Sequence, residues 1–211
     1  MIQKGLMYMR IITVGREFGS GGREVGKRLA DALGFAYFDF EIVTAIAERS
    51  ELDADYVDSV IEKGVFSEIP ITFGHSFAYI PQYNHAGFSI MENQSKILKE
   101  LAAKGDCVIV GRNADVILKD MKPLKLFVHA DMESKVARCF SRADENEHLT
   151  ERQMRRKIRQ VDKARANAHA YYSETRWGDK RGYDLCINTT GLEIKSVIPS
   201  IAKFAEAWFE K

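Results

Sequence analysis

Ile11-Ile12-Thr13-Val14-Gly15-Arg16-Glu17-Phe18-Gly19-Ser20-Gly21-Gly22-Arg23-Glu24-Val25-Gly26-Lys27-Arg28-Leu29-Ala30 decides the reading of this chain. A β-branched apolar run gives way to a turn holding four glycines, after which Val25, Leu29, Ala30 and Leu33 recur at helical spacing. That order predicts strand, loop and helix. Glycines let backbone N–H groups converge on an anion, and the helix that follows adds unpaired N–H groups and the positive end of its dipole. Gly19, Ser20, Gly21, Gly22, Arg23 and Glu24 are therefore the candidate cradle for a donor's phosphates, with Arg23 as its basic side chain. The usual pattern G-x-x-x-x-G-K-[ST] is not met. In one register Arg23 stands for Lys, Glu24 for the magnesium-binding hydroxyl and Glu17 for the first Gly. In the other, anchored on Gly15, the loop is one residue longer and Gly22 falls on the Lys position. A glycine turn without a ligand is the competing reading, since Gly is the ordinary turn residue.

The 211 residues, 45% of them hydrophobic, suffice for one good core and read as a single domain, 1–211. Lys and Arg number 31 against 30 Asp and Glu, leaving +1, so there is no general basic field and no nucleic-acid partner is expected. Any anion site must be local. Cys107, Cys139 and Cys186 stand singly, without metal spacing, and read as buried reduced thiols. No apolar run has the length of a signal peptide core or a membrane span, so a cytoplasmic protein without membrane contact is expected.

Down the chain, Gly34-Phe35-Ala36-Tyr37-Phe38-Asp39 predicts a helix end and a short buried strand closed by a carboxylate. Ligands of parallel α/β sheets sit at strand carboxyl ends, which points Asp39 at the crevice; capping of the next helix is an equal alternative. Helices are expected from Glu41 to Arg49 and from Asp53 to Lys63. Between Gly64 and Gly87 the pattern dissolves into Gly, Pro, His75, His85 and the aromatics Phe66, Phe73, Phe77, Tyr79 and Tyr83. A long loop of this kind is usually functional. Its aromatics suit stacking on a base, self-packing or a homodimer interface. A helix from Phe88 to Ala103 leads to the apolar strand Cys107–Val110, which ends in Gly111-Arg112-Asn113-Ala114-Asp115 and places an arginine to meet an anion. Leu124 to His129 is a further strand, and Asp131 caps the helix from Met132 to Arg142. Thr150 caps a charged helix with seven cations and two anions from Glu151 to Arg165. Its spacing puts Arg152, Arg155, Arg159 and Asp162 on one face with Arg165 on the flank, and the density of cations suits a polyphosphate. A strand over Gly182–Asn188 and a helix over Leu192–Phe209 close a layered α/β fold with about five mainly parallel strands.

Taken together, Thr13 to Arg23, Phe35 to Asp39, Val108 to Asp115 and Tyr183 to Thr189 give the sequence a form that resembles the cytidylate kinase-like branch of P-loop nucleoside monophosphate kinases. The resemblance covers nearly the whole chain from Ile11 to Ala207. It implies a three-layer P-loop kinase fold with a monophosphate-binding insert, here about 41–103, and a basic lid, here about 149–177. It also implies that Gly19 to Arg23 hold the donor's phosphates, that Asp39 ends the second strand beside the monophosphate, and that Gly111 and Arg112 meet the acceptor. In the lid, the R-D-x-x-D-x-x-R spacing of ordinary cytidylate kinases is matched by Asp162 and Arg165. Arg159 falls one position late, and Phe40-Glu41 stands where Thr-Gly is usual.

The expected function is phosphoryl transfer from ATP, with Mg²⁺, to a nucleoside monophosphate, CMP or dCMP. Arg23, Arg112, Arg159 and Arg165 are expected to stabilise the charge that spreads over the transferring group. The alternative is a nucleotide-binding sensor of the same fold without turnover, because Glu24 replaces the magnesium-organising hydroxyl.

Overall fold

The computed structural model describes residues 9–52, 54, 57, 67–73, 76–82, 85–143 and 149–210, with the side chains of 67–73, 76–82 and 85–88 excepted. The elements run β1 (Ile11–Arg16), α1 (Gly22–Leu33), β2 (Ala36–Phe38), α2 (Phe40–Ser50), β3 (Ser67–Phe73), β4 (Ser76–Gln82), α3 (His85–Ala102), β5 (Cys107–Val110) and α4 (Ala114–Ile117). They continue with β6 (Leu124–His129), α5 (Met132–Phe140), α6 (Glu151–Tyr172), β7 (Leu185–Asn188) and α7 (Ile194–Phe209). Five strands form a parallel sheet in the order β2-β5-β1-β6-β7. The chain leaves β1 for the β2 edge and later returns to β6 on its other side, so the loop after β1 stands where the strand order reverses. Open α/β sheets take their ligands there.

Successive side chains of a strand face opposite layers. Cys107 and Ile109 of β5 join Ile42, Ile46, Ile90 and Leu98 from α2 and α3, whereas Val108 and Val110 join Val25, Leu29, Ile198 and Ile201 from α1 and α7. The three layers and parallel sheet expected from the sequence are thus present. A third, smaller cluster of Val136, Met154 and Ile158 packs α6 onto α5, with Phe18 and Leu149 against it. The caps expected from the sequence form: Asp131 accepts from Ser134 N–H at 2.7 Å, and Thr150 and Gln153 make a reciprocal capping box.

Several local expectations are corrected. The stretch 64–87 is not structureless throughout, since β3 and β4 pair antiparallel from Ser67↔Gln82 to Phe73↔Ser76. Pro70 and Pro81 obscured the alternation of Ile69, Ile71 and Phe73, and Pro is tolerated because each strand of a two-stranded ribbon has an open edge. β2 is partly exposed rather than buried, because it is the sheet's edge. Cys186 is exposed on β7, the other edge. Cys107 is buried as expected, and burial pushes its thiol up to about 12. The helix expected over Asp53 to Lys63 lies mostly outside the described residues, as do Phe66, His75 and Tyr83.

One close approach fixes α1 on the sheet. A Cβ at Gly26 would lie 2.5 Å from Val110 Cγ2. Gly26→Val should therefore lower stability by about 1–3 kcal/mol through overpacking, which exceeds the few tenths gained in helix propensity. Denaturant unfolding reads this as a lower midpoint; an unchanged midpoint would show that α1 does not need this contact.

Candidate functional site

The phosphate-loop candidate begins where β1 ends. Glu17 N–H extends the sheet ladder to Val128 O at 3.0 Å, and the chain then turns sharply. Gly19 and Gly21 have φ of +76° and +83°, which side chains of L-residues rarely tolerate. The carbonyls of the loop are bound on the protein side. Ser20 Oγ donates to Glu17 O at 2.8 Å, Arg138 Nη1 to Gly19 O at 2.8 Å, and Thr189 Oγ1 to Ser20 O at 2.7 Å. α1 starts at Gly22 with Gly21 as a cap that has no side chain. The N–H groups of its first turn have no intrahelical acceptor, so the loop presents donors and a positive helix end to whatever enters the cleft.

That cleft has a volume of about 240 Å³. Gly19, Gly21 and Gly22 line it, and Arg16, Arg23, Arg138, Arg142, Lys157 and Arg165 surround it, with Glu17 the one carboxylate in its lining among the described residues. Lys157 and Arg165 lie over the Phe18 ring at 6.0 and 5.8 Å. Burial and the neighbouring Arg142 guanidinium both work against the charge on Arg138 and hold it below the usual arginine range. A polyphosphate entering here meets several guanidiniums suited to bidentate contact.

The loop is tied to α6 by one buried ammonium. Lys135 Nζ on α5 donates to Glu17 Oε2 at 3.0 Å and to Asp162 Oδ2 at 3.1 Å, and Asp162 Oδ1 accepts Phe18 N–H at 2.6 Å. Burial opposes both charges. It raises the Asp162 carboxyl, and it would depress Lys135 if the two carboxylates did not outweigh it and hold the ammonium above its usual value.

The residues singled out in the sequence are distributed unevenly about this cleft. Arg23 lines it and pairs with Asp39, Nε to Oδ2 at 2.5 Å. Asp39 is buried and does not cap α2 through its side chain, and its Oδ1 has no hydrogen-bond partner among the described residues. The capping alternative therefore falls, and a buried oxygen is left for another donor. Gly111, Arg112 and Asn113 take three successive left-handed conformations, with φ of +71°, +58° and +53°. Gln94 Nε2 holds the Arg112 carbonyl at 3.0 Å. Non-glycine residues pay roughly 1–3 kcal/mol for such backbone, a cost that tends to persist at functional sites. Arg112 lines a recess of about 30 Å³ with Arg16, Arg165, Asp115 and Trp177.

Four expectations are corrected by placement. Arg159 is exposed and absent from the cleft lining, because Met154 and Ile158 set the inner face of α6 and Arg159 lies about 120° round the helix from Arg165. Lys157 takes the place it was expected to fill. Asp162 has both carboxylate oxygens engaged by Phe18 and Lys135, so it secures the loop rather than meeting a substrate. Ser20 is buried and its hydroxyl is spent on Glu17 O. Glu24 pairs with Arg28 and Arg142; burial raises its carboxyl, but the two guanidiniums prevail and hold it below the usual range. Reading the residues missed Arg138 on the capped helix α5 and Arg142 in the turn after it, although their spacing of four beyond a β-strand end was a legible signal.

A model of the cytidylate kinase-like family matches residues 11–191. A crystal structure of an uncharacterized protein from Eubacterium ventriosum is 26% identical, with a TM-score of 0.65 over 93% of this chain and 98% of that one. A shikimate kinase from Bacteroides thetaiotaomicron is 16% identical, with a TM-score of 0.57 over 94% and 99%. A gluconokinase from Sinorhizobium meliloti is 14% identical, with a TM-score of 0.52 over 96% and 97%. At these identities the two kinases show the fold alone, which is that of P-loop kinases. No curated protein matches. Among the described residues no helix is long and apolar enough to cross a membrane.

Two outcomes follow from the ion pairs. Lys135→Met leaves Glu17 and Asp162 without their shared cation and should cost about 2–3 kcal/mol, below the roughly 3–5 of fully buried pairs because Glu17 is 27% exposed. Faster proteolysis within α6 and partial recovery in Lys135→Met/Asp162→Asn would check it; an unchanged unfolding midpoint would remove the bridge as a determinant. The Glu24 carboxyl titrates below its ordinary 4.5 when folded, so its stabilisation is present above that value and lost as pH falls through the lower folded one. Glu24→Gln should accordingly show a shallower acid limb in a plot of unfolding midpoint against pH.

Proposed function

We propose that this chain, which belongs to the cytidylate kinase-like family, transfers the γ-phosphoryl group of ATP to a nucleoside monophosphate, with CMP or dCMP as the favoured acceptor. Family and fold support nucleotide-dependent phosphoryl transfer in general. The observation that carries the reading is the cleft itself, a glycine loop at a helix N-terminus lined, among the described residues, by six cationic side chains and one carboxylate. The recess at Arg112, with the guanidiniums of Arg16, Arg112 and Arg165 about it, would take an acceptor's phosphate, and the Asp39 Oδ1, without a hydrogen-bond partner among the described residues, would accept from a donor group of the acceptor. The segment 41–103 would hold the acceptor and 149–177 would cover the donor, excluding water and so suppressing hydrolysis.

In the reaction an acceptor phosphate oxygen supplies the electron pair for the new P–O bond. The bond from the γ-phosphorus to the β–γ bridging oxygen breaks, and its pair leaves with ADP. The acceptor phosphate is largely ionised at neutral pH, so no general base has to be assigned. Arg23, Arg112 and Arg165, with Lys157 and Arg138, position the phosphates and meet the charge spread over the transferring group.

Magnesium fits the loop poorly. The hydroxyl position is Glu24, which is committed to Arg28 and Arg142, and the Ser20 hydroxyl is committed to Glu17 O. No step here is routed through a protein-held ion; Mg²⁺ commonly keeps its waters and binds through substrate phosphates. This same commitment favours the second reading, a nucleotide sensor without turnover.

Purified protein incubated with ATP, Mg²⁺ and a panel of monophosphates should yield the diphosphate of CMP or dCMP. Shikimate and gluconate belong in the panel because two structural neighbours are named for them. No product with any acceptor, together with ATP binding that ignores Mg²⁺ in calorimetry, would replace the kinase by the sensor. Arg23→Ala should weaken ATP binding roughly tenfold, the lower end for a charge-assisted contact of about 1.5–3 kcal/mol, since Asp39 already engages this guanidinium. Arg165→Ala should slow transfer, whereas Arg159→Ala should leave it unchanged.

A further inference from the structure

Arg16, at the carboxyl end of β1, is 9% exposed, and two glycines make room for its side chain. A Cβ on Gly22 would collide with Cβ and Cγ of Arg16, and a Cβ on Gly111 would fall on its guanidinium. Gly22 has no positive φ, so the backbone does not demand glycine there; the space taken by Arg16 does. The guanidinium is thereby held against the backbone of Gly111, one residue from Arg112. Arg16 and Arg165 both line the phosphate cleft and the recess at Arg112, and Arg165 Nη1 donates to Arg16 O at 3.1 Å. Around that recess three guanidiniums, from Arg16, Arg112 and Arg165, stand with the carboxylate of Asp115, which also faces His169 Nε2 at 3.4 Å.

A group passing from a donor in the cleft to an acceptor near Arg112 crosses this seam. We infer that Arg16 is a catalytic residue whose guanidinium contacts the transferring phosphoryl group there, an inference that rests on the kinase reading. Its chemistry is electrostatic: as the β–γ bridging bond breaks and the bond to the acceptor oxygen forms, charge moves over the three equatorial oxygens, and a fixed fork of N–H donors meets it. An arginine set in place by the end of a central strand needs no reorganisation during the reaction, unlike one carried on a mobile helix. Gly22 and Gly111 then act through Arg16, in addition to any direct approach of their backbone to ligand.

A contact that strengthens in the transition state shows in kcat rather than in binding. Arg16→Ala should lower kcat by about 10²–10³-fold while ATP affinity by calorimetry and the acceptor KM change by less than about threefold. Added guanidinium ion should restore part of the lost rate to Arg16→Ala. Arg16→Lys retains the charge and most of the buried stem, so it should fold and yet lose about tenfold in kcat. Wild-type turnover with Arg16→Ala at wild-type kcat would overturn the inference alone. So would a loss of activity that only parallels a loss of thermal stability, with no rescue and with Arg16→Lys fully active. A wild-type protein that turns over no acceptor would remove the kinase reading and this inference together.

Discussion

The ammonium of Lys135 between Glu17 and Asp162 is the contact on which the arrangement of the cleft depends. It joins three elements distant in sequence: the loop after β1, α5 and α6. The apolar seam between α5 and α6 is small, with Val136, Met154 and Ile158 as its buried members. Such a seam holds two helices together but leaves their rotation weakly specified. Asp162 removes that freedom by binding Phe18 N–H and Lys135 at once. With α6 so placed, Lys157 and Arg165 come over the Phe18 ring and face the glycine loop. Breaking one partner of a buried ion pair costs more than the pair contributes, so this register is enforced chiefly by the cost of leaving it.

The departures from the usual phosphate-loop pattern acquire a shared meaning in this light. Glu17 stands where the first glycine would be, and its carboxylate recruits Lys135; Glu24 stands where the hydroxyl would be, and its carboxylate recruits Arg28 and Arg142. Both acids are turned away from ligand duty and into internal pairing. α1 starts at Gly22, which places Arg23 on its first turn beside the cleft. The glycines themselves divide their work. Gly19 and Gly21 supply positive φ, Gly22 yields space to Arg16, and Gly15 yields space to the Phe127 and Tyr183 rings.

Much of the fold was legible because strands buried on both faces read as continuous apolar runs, as Cys107–Val110 and Leu124–His129 do, and because Asp131 and Thr150 are strong helix-start signals. What escaped depended on neighbours in space. β2 and β7 have sequences that suit burial, but edge positions expose them, Cys186 included. The β3–β4 ribbon was hidden by two prolines, which the open edges of a two-stranded pairing accommodate. In the site, cation density on α6 was apparent while its inward face was not, although Met154 and Ile158, four apart and apolar, mark it. Charges invite attention, yet the apolar residues choose which charges point inward. Arg16 was hidden for a different reason: a basic residue ending a strand reads as solvent-facing, and only the backbone of two distant glycines reveals its buried berth.

Charge balance explains how a chain near neutrality sustains so cationic a cleft. The net charge is +1 over 211 residues, so cations and acids balance over the whole chain, and away from the loop many stand in surface pairs such as Arg49 with Glu100, Lys27 with Asp31 and Arg155 with Glu133. Exposed pairs of this kind contribute little stability and are screened within about 10 Å at ordinary salt. They do cancel the far field, so a long polyanion gains no general attraction, while a compact polyphosphate entering the cleft meets Arg16, Arg138, Lys157 and Arg165 at close range, with Arg23 and Arg142 shared with Asp39 and Glu24. Glu17, the acid that lines the cleft among the described residues, is already engaged by Lys135. Selectivity for a small anion over an extended one therefore arises from where the acids are spent as much as from where the arginines are placed.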